Sequence, residues 1–320
     1  MSAARSGAST ASRGRALPAF AALLALAFAG AQFPGPFSVL DNLSNFPAHF
    51  GAAFLACAAL FSWRRRFLPA LACSALAALA LARVLPWYFG AEPVPADTAR
   101  PWVRLLVSNV YYGNRQHDRL LALVAKEDPD VIGLVEVSAR WLRMLKSLRD
   151  AYPYHYEVPD EHFVGLALYS RLPIEDARTV TLIAGHSSPA IEATLKTPRG
   201  DVELVLAHPM SPIGAEYIER RNAQVAALAR RASVVRNPLV LAGDLNLTMW
   251  NDAYRPLVEV AQLRNARQGH GIEPSWPALG PVGVPIDHIL GSPGVHLRNF
   301  RVLPGIGSDH FPVIAEFSAR

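Results

Sequence analysis

The chain has 320 residues, 51% of them hydrophobic, a formal net charge of +5 and only two cysteines. That length allows one large domain or two ordinary ones, and the cysteine count excludes a disulfide framework or a thiolate metal cluster. Residues 1–97 hold seven Arg, no Lys and three acids, whereas 98–320 hold 24 basic against 23 acidic residues, so a nucleic-acid reading of the whole-chain charge does not extend past the N-terminal third.

Three apolar runs follow Arg5, Arg13 and Arg15: 16–33, 46–63 and 67–89. Each is near the length of a transmembrane helix, which predicts a membrane region over residues 1–97. His49 is the only ionisable group in the second run, and Arg83 interrupts the third near Trp87 and Tyr88, which suit an interfacial belt. Cys57 and Cys73 lie inside these runs and read as small packed apolar residues. The Arg64–Arg66 triplet and the N-terminal arginines should stay cytoplasmic, placing everything after Phe89 on the extracytoplasmic side. Ala29-Gly30-Ala31 also fits a signal-peptide cleavage site; a two-span hairpin would then remain, with the domain on the same side. If the third run fails to span, the domain is cytoplasmic. The Ala- and Arg-rich, Lys-poor composition hints at a bacterium, hence an inner-membrane, multi-pass protein.

A Pro-rich connector, 92–101, leads into a second domain over 98–320. Its pattern predicts a strand ending at Asn109, a helix from His117, and a buried strand ending at Glu136. A helix over 139–150 and strands near 154–157 and 164–169 follow. A hairpin turns at Pro198-Arg199-Gly200, and a helix over 215–232 leads to the strand PLVLAGD. A helix near 252–261 and strands at 285–290, 296–303 and 312–317 complete the chain. Strands and helices in this mixture predict an α/β or α+β fold with two packed sheets.

The polar residues cluster by position. Asn109 and Glu136 end apolar strands, His208 follows VELVLA, and Asp244 and Asn246 follow PLVLAG. Asp287 lies in VPIDHIL, and Asp309 and His310 open the last strand. Strand ends gather at one edge of a sandwich, where loops on a rigid scaffold carry sites. Singly, each is as well read as a cap or a turn residue; it is the set that points to chemistry.

In order, SNV, LVEV, AHP, GDLN, IDHIL and GSDHFPV resemble the endonuclease/exonuclease/phosphatase superfamily, the metal-dependent phosphoesterases related to DNase I. The resemblance spans about 103–317, and Ser275-Trp276-Pro277 matches a loop the family places before the IDHIL strand. It implies a DNase I-like four-layer α/β/β/α sandwich. By the same resemblance Glu136 is the main metal ligand, with Asn109 and Asp309 near the ion. Asp244 orients or deprotonates the attacking water, and Asn246 holds it or a phosphate oxygen. His310 bonds the phosphoryl group with Asp287 fixing its tautomer, and His208 donates to the phosphate or the leaving group. Oxygen-rich donors suit Mg²⁺, with Mn²⁺ as the alternative ion. Two departures stand out: Val135 replaces a common Gln, and the basic excess of duplex-binding members is missing.

Two functional classes follow. One is a membrane-anchored hydrolase of lipid-linked phosphoesters or pyrophosphates, resembling the membrane-bound bacterial branch of the superfamily, with the bilayer as its partner. The other is a nuclease acting on DNA or RNA; a silent binding module is the reading the complete residue set disfavours. The glycosylation sequon at Asn246-Leu247-Thr248 is read as coincidence, His288 as packing, and Arg220 and Arg221 as a solvated helix face.

Overall fold

The computed structural model describes residues 7–32, 38–91, 93, 101–185, 188–280 and 282–320. By internal contacts the chain divides into two units, Met1–Pro86 and Trp87–Arg320. Most of the expected connector, Arg5 and Phe33 lie outside the described residues.

The first unit is helical: α1 (Gly7–Gly30), α2 (Ser38–Leu43), α3 (Pro47–Trp63) and α4 (Phe67–Ala82). Phe28, Phe50, Phe54, Ala77 and Ala80 form a core shared by α1, α3 and α4. Large apolar side chains also face outward, including Leu26, Trp63, Phe67, Leu68 and Leu71. Among the described residues, no helix is long and apolar enough to cross a membrane. The three expected spans therefore need correcting. α3 has 17 residues and α4 has 16, about 25 Å each against a ~30 Å hydrocarbon layer. The third run breaks because α4 stops at Ala82 and Leu85–Tyr88 forms a 3-10 turn around Pro86, which cannot continue an α-helix. α1 is longer, but its first half carries Ser, Thr and Arg.

The second unit holds two six-stranded sheets. The first is ordered β11-β12-β1-β2-β4-β3, built from β1 (Val103–Asn109), β2 (Val131–Val135), β3 (Tyr154–Val158), β4 (Leu166–Ser170), β11 (Val295–Val302) and β12 (Val313–Ala319). The second is ordered β5-β6-β7-β8-β10-β9, built from β5 (Ile174–Thr181), β6 (Pro189–Thr197), β7 (Gly200–Ala207), β8 (Leu239–Asp244), β9 (Arg264–Asn265) and β10 (Asp287–Gly291). Alternation explains the layering. Leu105, Val107, Val131, Leu166, Leu168, Val313 and Phe317 point into a core shared with Ile191, Leu204, Leu206, Val240 and Ile289 of the other sheet. Their neighbours Leu106, Ile132, Leu134, Tyr169 and Ile314 point outward, under helices α5 (His117–Glu127), α6 (Ala139–Met144) and α7 (Leu148–Ala151). Helix α8 (Ala215–Val234) lies on the second sheet, where Arg231 Nε pairs with Glu192 Oε1 of β6 at 2.6 Å.

Several expected elements shift. The helix over 139–150 breaks at Leu145, which keeps Trp141, Leu145, Leu148 and Tyr152 all in one core. The helix near 252–261 shrinks to a 3-10 turn at Asp252–Tyr254 and a short α9 (Arg255–Glu259). Strand β5 was not expected; it is a mostly exposed edge strand carrying Glu175, Asp176 and Arg178, the charged composition that protects sheet edges and hides a strand from pattern reading.

β1 and β2 run parallel, as do β7 and β8. Their carboxyl ends, with the starts of β4, β6, β10 and β12, meet at one end of the sandwich. Every strand-end polar residue singled out in the sequence sits at that end.

Candidate active site

The first sheet contributes Asn109, the last residue of β1, and Glu136, the residue after β2. Asn109 Nδ2 donates to Glu136 Oε1 at 2.8 Å and to Asp244 Oδ2 at 3.1 Å, and lies 3.4 Å from His310 Nε2. Asn109 Oδ1 accepts the Tyr111 N–H at 3.0 Å. Glu136 sits in the left-handed backbone region, with φ of 61°. A glutamate gains nothing locally from that conformation, so the fold imposes it. The turn aims its carboxylate back across the end of β1.

The second sheet contributes His208, Asp244, Asn246 and Asp287. Gly243 precedes Asp244 with φ of 138°, and a Cβ there would lie 1.9 Å from Ala207 O. Only glycine lets β8 approach β7 this closely, and the approach brings Asp244 beside His208. Asp244 Oδ1 accepts the Asn246 N–H at 2.9 Å, and Oδ2 lies 3.5 Å from His208 Nε2 and 3.6 Å from His310 Nε2. Asn246, also left-handed with φ of 54°, directs Nδ2 to Pro209 O at 3.0 Å and to His208 Nε2 at 3.1 Å. Asn246 is buried and engaged, so the sequon is structural.

His310 Nδ1 and Asp287 Oδ2 are 2.9 Å apart, both buried. Burial alone would push the imidazole down, but the Asp287 and Asp244 carboxylates outweigh it and hold the His310 pKa up at about 10. Burial would raise Asp287, yet the charge and hydrogen bond of His310 keep it below the usual carboxylate range. Burial raises Asp244, and the Asp287 charge adds to that. His310 is therefore an imidazolium at neutral pH, its Nδ1–H held by Asp287 and its Nε2–H turned toward Asp244.

Two carboxylates, Glu136 and Asp244, converge on one amide nitrogen. Two anions facing one point suit a cation, and carboxylate oxygens are donors that a hard divalent ion takes; the Asn109 amide offers them its NH2, with Oδ1 committed to the Tyr111 N–H. Asp244, Asp287 and His310 also bring ligand atoms within 4.8 Å of one another. In that trio the Asp287 oxygen nearest the ring is committed to His310, so Glu136 with Asp244 is the better-fitted cradle, and Asn109, expected near the ion, bridges the two carboxylates through its NH2. Asp309 is placed differently. It is exposed at the rim, with Oδ2 accepting the Trp276 indole N–H at 3.2 Å.

The site also uses residues that the sequence reading did not assign. Ser308 Oγ donates to Asn109 O at 2.8 Å and accepts the His310 N–H at 3.1 Å, tying the last loop to β1. Ser275 Oγ accepts the Ile286 and Asp287 N–H groups at 3.2 and 3.1 Å. Arg221, expected on a solvated face, is fully buried and donates to Asn246 O at 2.9 Å; Arg220 is the outward residue, paired with Glu216. The signal was present: Ile218, Arg221, Val225, Leu228 and Ala232 share the buried stripe of α8. Arg267, also fully buried, donates to Asp287 O at 2.9 Å. His288 is buried packing as expected, bonded to Asn265 and Leu247 and held down to about 4 by burial.

Two six-stranded sheets with acids, amides and histidines converging at their paired carboxyl ends define a metal-dependent hydrolase of phosphoester bonds. The Endonuclease/Exonuclease/phosphatase family model matches residues 106–310, and the chain belongs to that family. No curated protein matches the chain. Among solved structures it is similar to D. rerio TDP2 in complex with a single-strand DNA product (15% identity, TM-score 0.59, covering 68% of this chain and 99% of that one). It is similar to the human Nocturnin catalytic domain with bound sulfate (19%, 0.58, 69% and 96%). It is also similar to an endonuclease/exonuclease/phosphatase from Bacteroides vulgatus (20%, 0.56, 69% and 100%). At these identities the likenesses show the fold.

Proposed function

We propose that the protein is a Mg²⁺-dependent phosphoesterase held at a membrane surface by its N-terminal helices. The observation that carries the chemistry is the convergence of Glu136 and Asp244 on Asn109, opposite an imidazolium held by Asp287. Glu136 and Asp244 would hold the ion, with Asn109 fixing both carboxylates, and the ion would supply charge neutralisation at the phosphoryl group. Asp244, raised by burial, orients the attacking water and accepts its proton. His310 donates Nε2–H to a phosphoryl oxygen as charge builds there. Asn246 and His208 line the opposite side and fix the phosphate.

Membrane attachment is supported by composition: α3 and α4 are apolar on every side, and a helix of that kind is buried in a large core or in lipid. Flotation of the full chain with liposomes tests the attachment, and a chain that stays in the aqueous fraction would overturn it. The chemistry is tested with aryl phosphodiesters. Wild type should release phenolate with Mg²⁺ and stop with chelator, and H310A should fall at least 100-fold; equal rates for the two would sink the reading.

A nuclease is the second reading. It is favoured by the likeness to a DNA-bound structure and by the exposed Tyr111 and Tyr112 rings, 5.3 Å apart, which suit base stacking. Charge weighs against it. Among the described residues of the site-end loops Arg115 is exposed and Arg267 is buried, against Asp160, Glu161, Glu273 and Asp309, so a polyanion finds no basic track.

A further inference from the structure

We infer that the loops around the site form an apolar collar that enters a lipid surface, so that the site works on phosphoesters presented there by an apolar chain. The inference rests on the phosphoesterase reading and names its substrate class. Four connections at the site end each carry an exposed apolar tip: Tyr112 after β1, Phe163 before β4, Ile213 after β7, and Leu279 with Val282 before β10. Ile213, Leu279 and Val282 are 78, 76 and 63% exposed. Water-exposed aliphatic side chains on separate loops are ordinary one at a time; ringing one site they mark an interaction surface.

The tips belong to the site rather than to loose loops. Ala278 N–H donates to Asp309 O at 2.7 Å and the Trp276 ring lies 6.4 Å from the His310 ring, which puts the segment carrying Leu279 and Val282 beside the imidazolium. The Phe163 loop is fixed by Asp160 N–H to Val137 O at 3.0 Å, next to Glu136. Ile213 lies five residues after His208, on a loop held by Met210 N–H to Gln224 Oε1 at 2.8 Å.

The occupant follows from charge and from the rest of the chain. The acids of these loops outnumber Arg115 and the buried Arg267 and disfavour a nucleic acid. A lipid surface needs no basic track, and the same chain carries helices with Leu26, Leu68 and Leu71 facing outward, which call for an apolar medium too. Aliphatic tips with tyrosine and tryptophan around them have the amphipathic make-up that settles at a membrane interface.

The test uses the full chain in mixed micelles with Mg²⁺ and two esters sharing one leaving group, p-nitrophenyl hexadecyl phosphate and p-nitrophenyl methyl phosphate. Wild type should prefer the hexadecyl ester at least tenfold. An I213D/L279D/V282D variant should lose that preference while keeping its methyl-ester rate within about twofold. Equal wild-type rates, or a variant that keeps the preference, would overturn the inference and leave the phosphoesterase reading standing. Hydrolysis of neither ester would instead overturn the phosphoesterase reading beneath it. Single-stranded DNA cleaved faster than either ester, with a rate lowered by the triple variant, would assign the collar to nucleic acid.

Discussion

The two sheets bring unlike things to the site. The first supplies a buried Asn109 and, above it, Glu136 on a left-handed turn that leaves its carboxylate partly accessible. The second supplies Asp244 and Asp287, sealed from water and tied into His208 and His310. A partly open carboxylate can take and release a hydrated ion; of the sealed pair, Asp244 is raised toward holding a proton and Asp287 fixes an imidazole. The difference teaches that ion capture and proton handling are divided between the sheets, with Asp244 at the seam.

That division breaks if the two carboxylates behave alike on mutation. D244N removes both the proton acceptor and one anion facing the ion, and kcat should fall by about 10³–10⁴ with an aryl phosphodiester at saturating Mg²⁺. Added metal should not restore it. E136Q should differ in kind, requiring on the order of 100-fold more Mg²⁺ for half-maximal rate because the cradle loses a charge, and excess metal should recover much of kcat. If E136Q stays dead at high Mg²⁺ while D244N is rescued, the roles are exchanged.

The sealed half also sets the pH response. Activity should rise as Asp244 ionises, at a pH above the ordinary carboxylate value because burial raises it, and fall as His310 loses its proton near pH 10. The same shift bears on stability. A folded-state pKa of about 10 lies above the unfolded 6.5, so the stabilisation is fully present below 6.5 and is lost as pH rises through about 10. In D287N the holding charge is gone, and the alkaline limb should move toward 6.5, giving about a tenfold lower rate at pH 7.5. An unmoved limb would show that His310 does not titrate there.

How far the sequence could be read follows the same physics. Residues at the ends of apolar strands were legible because a strand buried on both faces reads as a continuous apolar run and a polar residue then marks its end; Asn109, Glu136 and Asp244 stand out in this way. β5 was hidden because an exposed edge strand has no buried face to create a pattern. Ser308 and Ser275 were hidden because a hydroxyl that bonds backbone groups across the fold leaves no local trace. The N-terminal runs gave helices shorter than the expected spans, because hydropathy does not see where Pro86 and the arginines stop a helix.

Arg221 tests whether the second sheet's half depends on support from behind. It sits on the buried stripe of α8, with Nη1 donating to Asn246 O and its other nitrogens to Asn222 Oδ1 at 2.9 and 2.7 Å. Asn246 in turn directs its amide at His208. Methionine fills similar volume but cannot donate, so R221M leaves a buried carbonyl and a half-buried amide oxygen without their charged donor. The expected cost is about 3 kcal/mol of unfolding free energy, read by urea denaturation. The catalytic effect should be the smallest of the series, about threefold to tenfold in kcat, because Asn246 keeps its Asp244 and Pro209 contacts. The metal requirement should stay unchanged, since Glu136 is on the other sheet. A variant as stable as wild type would mean that Arg221 only fills space, and a shifted Mg²⁺ requirement would mean that the two halves are not separate.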